Sequence, residues 1–203
     1  MHKIWLTSDQ HFGHRNVITY CSRPFKDVDH MKEELVSRFN AKVSHDDMTW
    51  HLGDFSMHPR ELDVLRRLNG WHALVVGNHD GCHPVQCKSD EKLKRLTQVY
   101  LDAGFAEVST EDKLVMTDHP FETIKLHHMP YSGDHGEKER FTQYRPQDDG
   151  LWLLHGHVHT EWKVRGKQIN IGVDQWGYAP VALDTIKEIV RNKENKNDGH
   201  ADK

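Results

Sequence analysis

Residues 151–160 read LWLLHGHVHT, an apolar run that ends in three imidazoles within five positions: His155, His157 and His159. Histidine makes up 18 of the 203 residues, so one such cluster could follow from abundance alone. Four further stretches weigh against that: Asp9-Gln10-His11, Gly53-Asp54, Gly77-Asn78-His79-Asp80 and His127-His128. Each offers carboxylate oxygen, amide oxygen or imidazole nitrogen, the donors that hold divalent first-row metals, and none offers a thiolate. Alternate residues of an extended segment point the same way, so Asp9 with His11, and His157 with His159, can each reach one point or two adjacent ones. Glycines at 53, 77 and 156 permit tight turns beside the donors, bringing them close without Cβ clashes. Singly, each stretch is weak, because a Gly-Asp pair is ordinarily a turn and a His-His pair ordinarily surface. Together, in this order, they point to a metal centre.

Short buried strands must carry these donors. KIWLTSD (3–9), MTWHLGD (48–54) and WHALVVGNHD (71–80) read as strands whose carboxyl ends hold the acids, amides and histidines. Between them, 29–43 spaces Met31, Leu35, Phe39 and Val43 four apart, and 59–70 opens on Pro59, repeats Leu62, Leu65 and Leu68, and stops near Gly70. Both predict helices. The alternation implies a βαβ-type core with right-handed crossovers and polar loops gathered at the strands' carboxyl ends. Residues 90–105 form a third helix, with Leu93, Leu96, Tyr100 and Ala103 on one stripe. The second half is richer in sheet: 113–118, 121–130, 151–159, 167–174 and 180–183 read as strands, before a last helix over 184–193 with Asp184 as its N-cap. Two halves that do not repeat each other suggest two sheets packed face to face, helices outside, with loops sharing one edge. Residues 132–149 are the longest stretch without periodicity, and such loops are often functional or mobile.

The length suits a single domain, placed at 1–190, with a polar, frayed tail over 191–203. Apolar residues at 36% and charged residues at 29% exclude a disordered chain. The opening MHKIWLTSDQHFGH is too short in apolar residues and too polar for a signal-peptide core, and no apolar run approaches the roughly 18 residues that span a bilayer. Cys21, Cys82 and Cys87 are odd in number, which fits reduced thiols, so a cytoplasmic location is expected. A net charge of −4 does not advertise a surface for duplex nucleic acid, although bound cations would add positive charge outside that count.

The five blocks resemble the pattern D-x-H, G-D, G-N-H-D/E, H and G-H-x-H of the calcineurin-like metallophosphoesterase superfamily, spread from Asp9 to His159. The wording DQHFGHRNVI, LGDF, GNHD and LHGHVH is most similar to the small cap-less phosphoesterases of bacteria and phages. The resemblance implies an α/β (α+β) fold, a four-layer αββα sandwich of two mixed β-sheets flanked by helices. It implies a site for two metal ions: Asp9, His11 and His159 on the first, Asn78, His128 and His157 on the second, and Asp54 bridging. A water or hydroxide between the ions would be the nucleophile. His79 would sit over the leaving-group oxygen, where an imidazole suits a proton donor.

Asp80 either orients His79 or serves as a turn or cap acid, two readings that stand level. His14, Arg15 and Asn16 are candidates for phosphate or base contacts, and the alternative is that GHRN opens a surface helix or loop. Trp176 is the aromatic expected to line a substrate edge. His127 and His155, one residue before motif positions, should point away and be structural. Cys82, His83 and Cys87 match no closed zinc set.

The function expected is hydrolysis of phosphodiesters on nucleotides or nucleic-acid ends, with two divalent ions as cofactors, manganese first and iron, nickel or zinc also suited. A phosphomonoesterase is the near alternative, and a single-strand nuclease using Arg140 and Arg145 on the backbone is another. The continuation GDFSMHP and the block GNHD depart from G-D-x-x-D-R-G and G-N-H-E of the protein Ser/Thr phosphatase branch. From other classes come a scaffold or binding protein on the same fold and a histidine-rich metal store, against which the unbroken, ordered donor set argues. No membrane and no obligate protein partner is implied.

Overall fold

Period-two alternation along three short strands sets the layering of this computed structural model, which describes residues 2–116 and 123–198. Strands β1 (Ile4–Thr7), β2 (Met48–His51), β3 (Trp71–Val75) and β4 (Glu107–Ser109) run parallel, and β10 (Val181–Ala182) lies antiparallel on the free edge of β1, giving the order β10-β1-β2-β3-β4. The second sheet contains β5 (Glu111–Val115), β6 (Thr123–His127), β7 (Trp152–His155), β8 (Val164–Arg165) and β9 (Gln168–Asn170) in the order β5-β6-β7-β9-β8, parallel in the middle and antiparallel at both edges. Leu6, Trp50, Ala73 and Val75 face the second sheet and share a core with Ile124, Leu126, Leu154 and Ile169. Trp5 and Leu74 face the other way, onto Met31, Leu35 and Phe39 of α2 (Val28–Asn40) and Tyr100 of α3 (Asp90–Ala103). Two mixed five-stranded sheets with helices therefore agree in outline with the α+β expectation. Helix α4 (Leu183–Asp198) inserts Ile186 and Val190 into the core shared by the sheets, so it is not an outer layer in the manner of α2 and α3.

Several local expectations are corrected. Residues Pro59–Arg67 are helical as expected, but in the tighter 3-10 form. The three-residue repeat of Leu62, Leu65 and Leu68 is the period of the tighter helix and keeps all three buried. A short helix α1 (Arg15–Tyr20) follows the first donor block, and β4 had no readable signal in three residues. Helix α4 starts at Leu183, which puts Asp184 inside the first turn, where its charge still complements the helix dipole, and not at the N-cap. It continues to Asp198, past Arg191 where fraying was expected. Residues 117–118 and 121–122 of the expected strands, and 199–203 of the tail, lie outside the described residues. Among the described residues no helix is long and apolar enough to cross a membrane.

The two sheets meet at the carboxyl ends of their parallel strands. Ser8 and Gly172 form a parallel bridge just beyond β1 and β9, and Val173 N donates to the Ser8 carbonyl at 3.0 Å. Asp9 N donates to the Gly53 carbonyl at 3.0 Å, His11 N to that of Asp54 at 2.9 Å, and Gly156 N to that of His128 at 3.0 Å. With the His79 amide donating to Asp54 Oδ1 at 2.8 Å and the His157 amide to Asp9 Oδ1 at 3.1 Å, all five donor blocks are tied into one edge.

Candidate metal centre and substrate cleft

Eight described non-glycine residues have a positive φ, and five of them are Asp9 (58°), His11 (54°), Asp54 (51°), His157 (70°) and His159 (46°). Left-handed backbone costs an L-residue roughly 1–2 kcal/mol, and such strain gathers at functional sites. The donors therefore do not converge by extended alternation, as the i, i+2 spacing suggested. Strands β1 and β7 stop at Thr7 and His155, and the donors follow in turns that re-aim each of them. Two glycines supply room: a Cβ on Gly77 would overlap the amide and carboxylate of Asp54, and one on Gly156 would overlap Ser8 and the Asp9 carboxylate.

Asp54 sits at the middle. Its Oδ2 lies 3.5 Å from both His11 Nε2 and His128 Nε2, while its Oδ1 accepts the His79 amide at 2.8 Å. Asn78 Oδ1 lies 3.2 Å from His128 Nε2 and 3.1 Å from His157 Nδ1. Donor atoms of Asp9, His11 and His159 fall within 4.8 Å of one another, as do those of Asp9, Asp54 and His128, so Asp9 adjoins both groups. Its carboxylate also accepts the His157 amide at 3.1 and 3.2 Å.

The outer nitrogens of the rings determine which nitrogens point inward as lone pairs. His128 Nδ1 lies 2.8 Å from the Leu52 carbonyl, which can only accept, so that nitrogen carries the proton. His159 Nδ1 lies 3.0 Å from Asp174 Oδ2, and both carboxylate oxygens of Asp174 accept from the buried Arg23 at 2.8 Å. Arg23 also donates to the carbonyls of Asp9 and Gln10 at 2.7 and 3.1 Å, so one guanidinium ties the first block to the last. Burial opposes a charge on His128, but the adjacent Asp54 carboxylate outweighs it and pushes the ring up to about 9; at His11 burial wins over the Asp54 charge and, with His159, Arg23 and His79 nearby, holds the ring well below its ordinary value. His11 Nε2 is buried with no hydrogen-bond partner. An orphaned imidazole nitrogen beside a carboxylate, in a donor set of Asp, Asn and His, fits divalent first-row cations.

Asp80 does not reach the His79 ring as the orienting role required. Its buried carboxylate accepts the amides of Asp54 and Gly77 at 2.8 Å and of Phe55 at 3.1 Å, clamping the Gly-Asp turn to the Gly-Asn-His-Asp turn. Burial and the neighbouring Asp54 charge push it up to about 7 against those donors.

Beside the donors opens a cleft of about 360 Å³, lined among others by His11, His14, Asn16, Tyr20, His79 and Arg140. His14 and Asn16 are thus at the cleft, whereas Arg15, exposed at the start of α1, is not among its lining residues. Trp176 is elsewhere: its Nε1 donates to the Asn170 carbonyl at 2.9 Å and Lys163 Nζ covers its ring at 3.4 Å. The aromatic at the cleft is Tyr20, 74% exposed. Arg145, only 5% exposed, donates to the Gly133 carbonyl at 2.8 Å and pairs with Asp134 and Glu139, and it is not among the residues that line the cleft. His127 and His155 are buried outside the donor set, their rings pushed down to about 3 by burial. Cys82 is buried and Cys87 Sγ donates to the Gly81 carbonyl at 3.3 Å; neither joins a donor cluster. Cys21 does lie near His159 and Asp174, but Arg23 already occupies that carboxylate. Arg23, Asp174, Asp134 and Tyr20 had no motif to announce them.

No family model matches the chain. It is 34% identical over 203 residues to the Gene 66 protein of Mycobacterium phage D29, covering 96% of this chain and 98% of that protein. It is 32% identical over 205 residues to the Gene 66 protein of Mycobacterium phage L5, covering 95% and 96%. The crystal structure of a protein of unknown function from Aquifex aeolicus superposes with a TM-score of 0.68 at 24% identity, over 93% of this chain and all of that one, a likeness of fold.

Proposed function

We propose that this member of the family of the mycobacteriophage Gene 66 proteins, to which the chain belongs, is a metal-dependent phosphoesterase cleaving phosphodiester bonds of nucleotides or nucleic-acid ends. The observation that carries the reading is the convergence on Asp54 Oδ2, 3.5 Å from two imidazole nitrogens that come from different sheets. Asp9, His11 and His159 would hold one cation, Asn78, His128 and His157 a second, and Asp54 would serve both. Divalent ions bound there, manganese first and iron, nickel or zinc by the same donors, supply Lewis acidity toward water and a phosphoryl oxygen. The chain's own part is to orient the ester and manage the proton. His79, its amide fixed by Asp54, lines the cleft beside the donors and gives a proton to the departing alkoxide. His14 and Arg140 face the phosphate's charge, and Tyr20 offers a ring to a nucleobase.

The test is manganese-dependent hydrolysis of a nitrophenyl monoester, a bis-nitrophenyl diester and an alkyl nucleotide diester by wild type, Asp54→Ala and His79→Ala. Asp54→Ala should abolish turnover of all three. His79→Ala should cost about 10²–10⁴-fold on the alkoxide-leaving diester and far less on the nitrophenyl esters, whose leaving group needs no proton. Preference for the monoester would move the assignment to a phosphatase. A folded chain that hydrolyses none of them with any divalent metal overturns the reading, and one that also binds no metal would be a scaffold on this fold.

A further inference from the structure

The strap of residues 132–149 runs past the donor cluster, and most of its charged side chains lie in solvent. Asp134 and Arg145 are the exceptions, with side chains only 1% and 5% exposed, and Asp134 is the one acid among them. A carboxylate so placed needs partners to offset its lost hydration. Oδ1 accepts the His135 amide at 2.8 Å and Arg140 Nη2 at 3.0 Å; Oδ2 accepts the Arg140 amide at 2.8 Å and lies 3.5 Å from Arg145 Nη2. The remaining approach is to the donor cluster itself, where Oδ1 lies 3.3 Å from His157 Nε2.

That nitrogen is buried, and Asp134 is the only carboxylate brought to within 4 Å of it among the described residues, off the ideal hydrogen-bond line. His128 and His159 have their outer nitrogens fixed by the Leu52 carbonyl and by Asp174. His157 would otherwise be the one ring of these three without an outer anchor, and its inner Nδ1 faces Asn78. We propose that Asp134 is the positioning residue for His157, taking the proton of Nε2 in a hydrogen bond so that Nδ1 presents its lone pair to a cation, and that the strap is thereby a structural part of the metal centre. Arg140 and Arg145 preset the carboxylate before any ion arrives. Arg140 also lines the cleft, so the same pair joins the metal centre to the substrate wall.

This rests on the metal-centre reading above, and the test separates the two. Manganese is titrated calorimetrically into the metal-stripped full chain for wild type, Asp134→Ala and Asp134→Asn, with circular dichroism as a check on folding. Wild type should take up about two ions, and Asp134→Ala should weaken one of them about 10–100-fold while sparing the other. Asp134→Asn, which keeps an acceptor without the charge, should fall between. If Asp134 only folds the strap, the alanine variant loses stability but binds both ions as wild type does, and the proposal fails. If wild type binds no ion, the metal centre itself is refuted first. Should Asp134→Ala not fold, the histidine ¹⁵N spectrum of metal-free wild type decides: an Nε2–H tautomer at His157 supports the proposal, and an Nδ1–H tautomer overturns it.

Discussion

Two buried carboxylates flank the donor cluster and are held by different means. Asp80, below it, accepts main-chain amides from the turns after β2 and β3, so its position is determined by the parallel sheet. Asp134, above it, accepts two amides of its own strap at 2.8 Å and adds arginine side chains six and eleven residues on at 3.0 and 3.5 Å, so its position is determined within the strap and not by the sheet. The floor of the site cannot shift without breaking strand ends, whereas the roof can be altered one side chain at a time. The proposed chemistry divides along the same line: donors that must not move sit on the floor, and Arg140, the cleft residue proposed to meet the phosphate, hangs from the strap.

The sharpest way to break this contrast is Asp80→Ala. Three amides left buried without an acceptor cost about 1–3 kcal/mol each, together a large fraction of a typical total stability of about 5–15 kcal/mol. Urea unfolding should therefore show a loss of at least about 3 kcal/mol. Asp134→Ala, with solvent available to much of the strap, should lose clearly less in the same assay. Equal losses would mean that the strap is as integral to the fold as the sheet, and that floor and roof are not held differently.

The floor was legible in the sequence because its parts are close together and chemically distinctive. Asp9-x-His11, Gly77-Asn78-His79 and Gly156-His157-x-His159 announce donors by type, and the glycines at 77 and 156 announce close approach. What those letters could not show is how the donors are aimed, since a left-handed φ at Asp9 or His157 is imposed by the turn around it and has no residue signature. The strap, and the Arg23–Asp174 pair behind the donors, were illegible for another reason. Arg23 and Asp174 are 151 residues apart, and Asp134 meets His157 across 23; among many charged residues nothing marks the few that pair in the interior. The same blindness to exposure put Trp176 forward as the aromatic wall and left Tyr20 unremarked.

Acid should separate floor from strap more gently. Beneath the first block, Gln10 Nε2 lies 2.8 Å from His51 Nδ1, and His51 Nε2 lies 3.1 Å from His72 Nδ1. Burial lowers His51 far below its ordinary value and His72 to about 4. Below pH 6.5 the unfolded chain takes up a proton that folded His72 refuses, so stability is complete above about 6.5 and falls as pH drops toward 4. For His72 alone the loss is about 1.4 kcal/mol per pH unit over that window, levelling off below it. His72→Gln should reduce proton uptake on unfolding at pH 5 by about one, measured from the pH dependence of the urea midpoint. An unchanged slope would mean that this ring is hydrated, and that the floor is looser than its main-chain clamp implies.

The smallest effect concerns the two walls of the cleft, Tyr20 on α1 from the floor side and Arg140 from the strap. Ring-to-ring steps of 6.4 Å to His14 and then 5.1 Å to His11 carry Tyr20 toward the donors, within the span of a nucleotide. A base stacked on an aromatic ring contributes about 1–3 kcal/mol, and 1.4 kcal/mol is a factor of ten. Tyr20→Ala should therefore raise KM for a nucleotide diester about tenfold while leaving kcat, and the KM of a diester without a base, unchanged. Tyr20→Phe should restore the wild-type KM, because the ring and not the hydroxyl does the stacking. Arg140→Ala should weaken every phosphoester alike, and by less as salt is raised, because its contribution is a screened charge. A loss in Tyr20→Ala that also fades with salt would merge the two walls into one electrostatic surface and remove the reason to read this cleft as one for nucleotides.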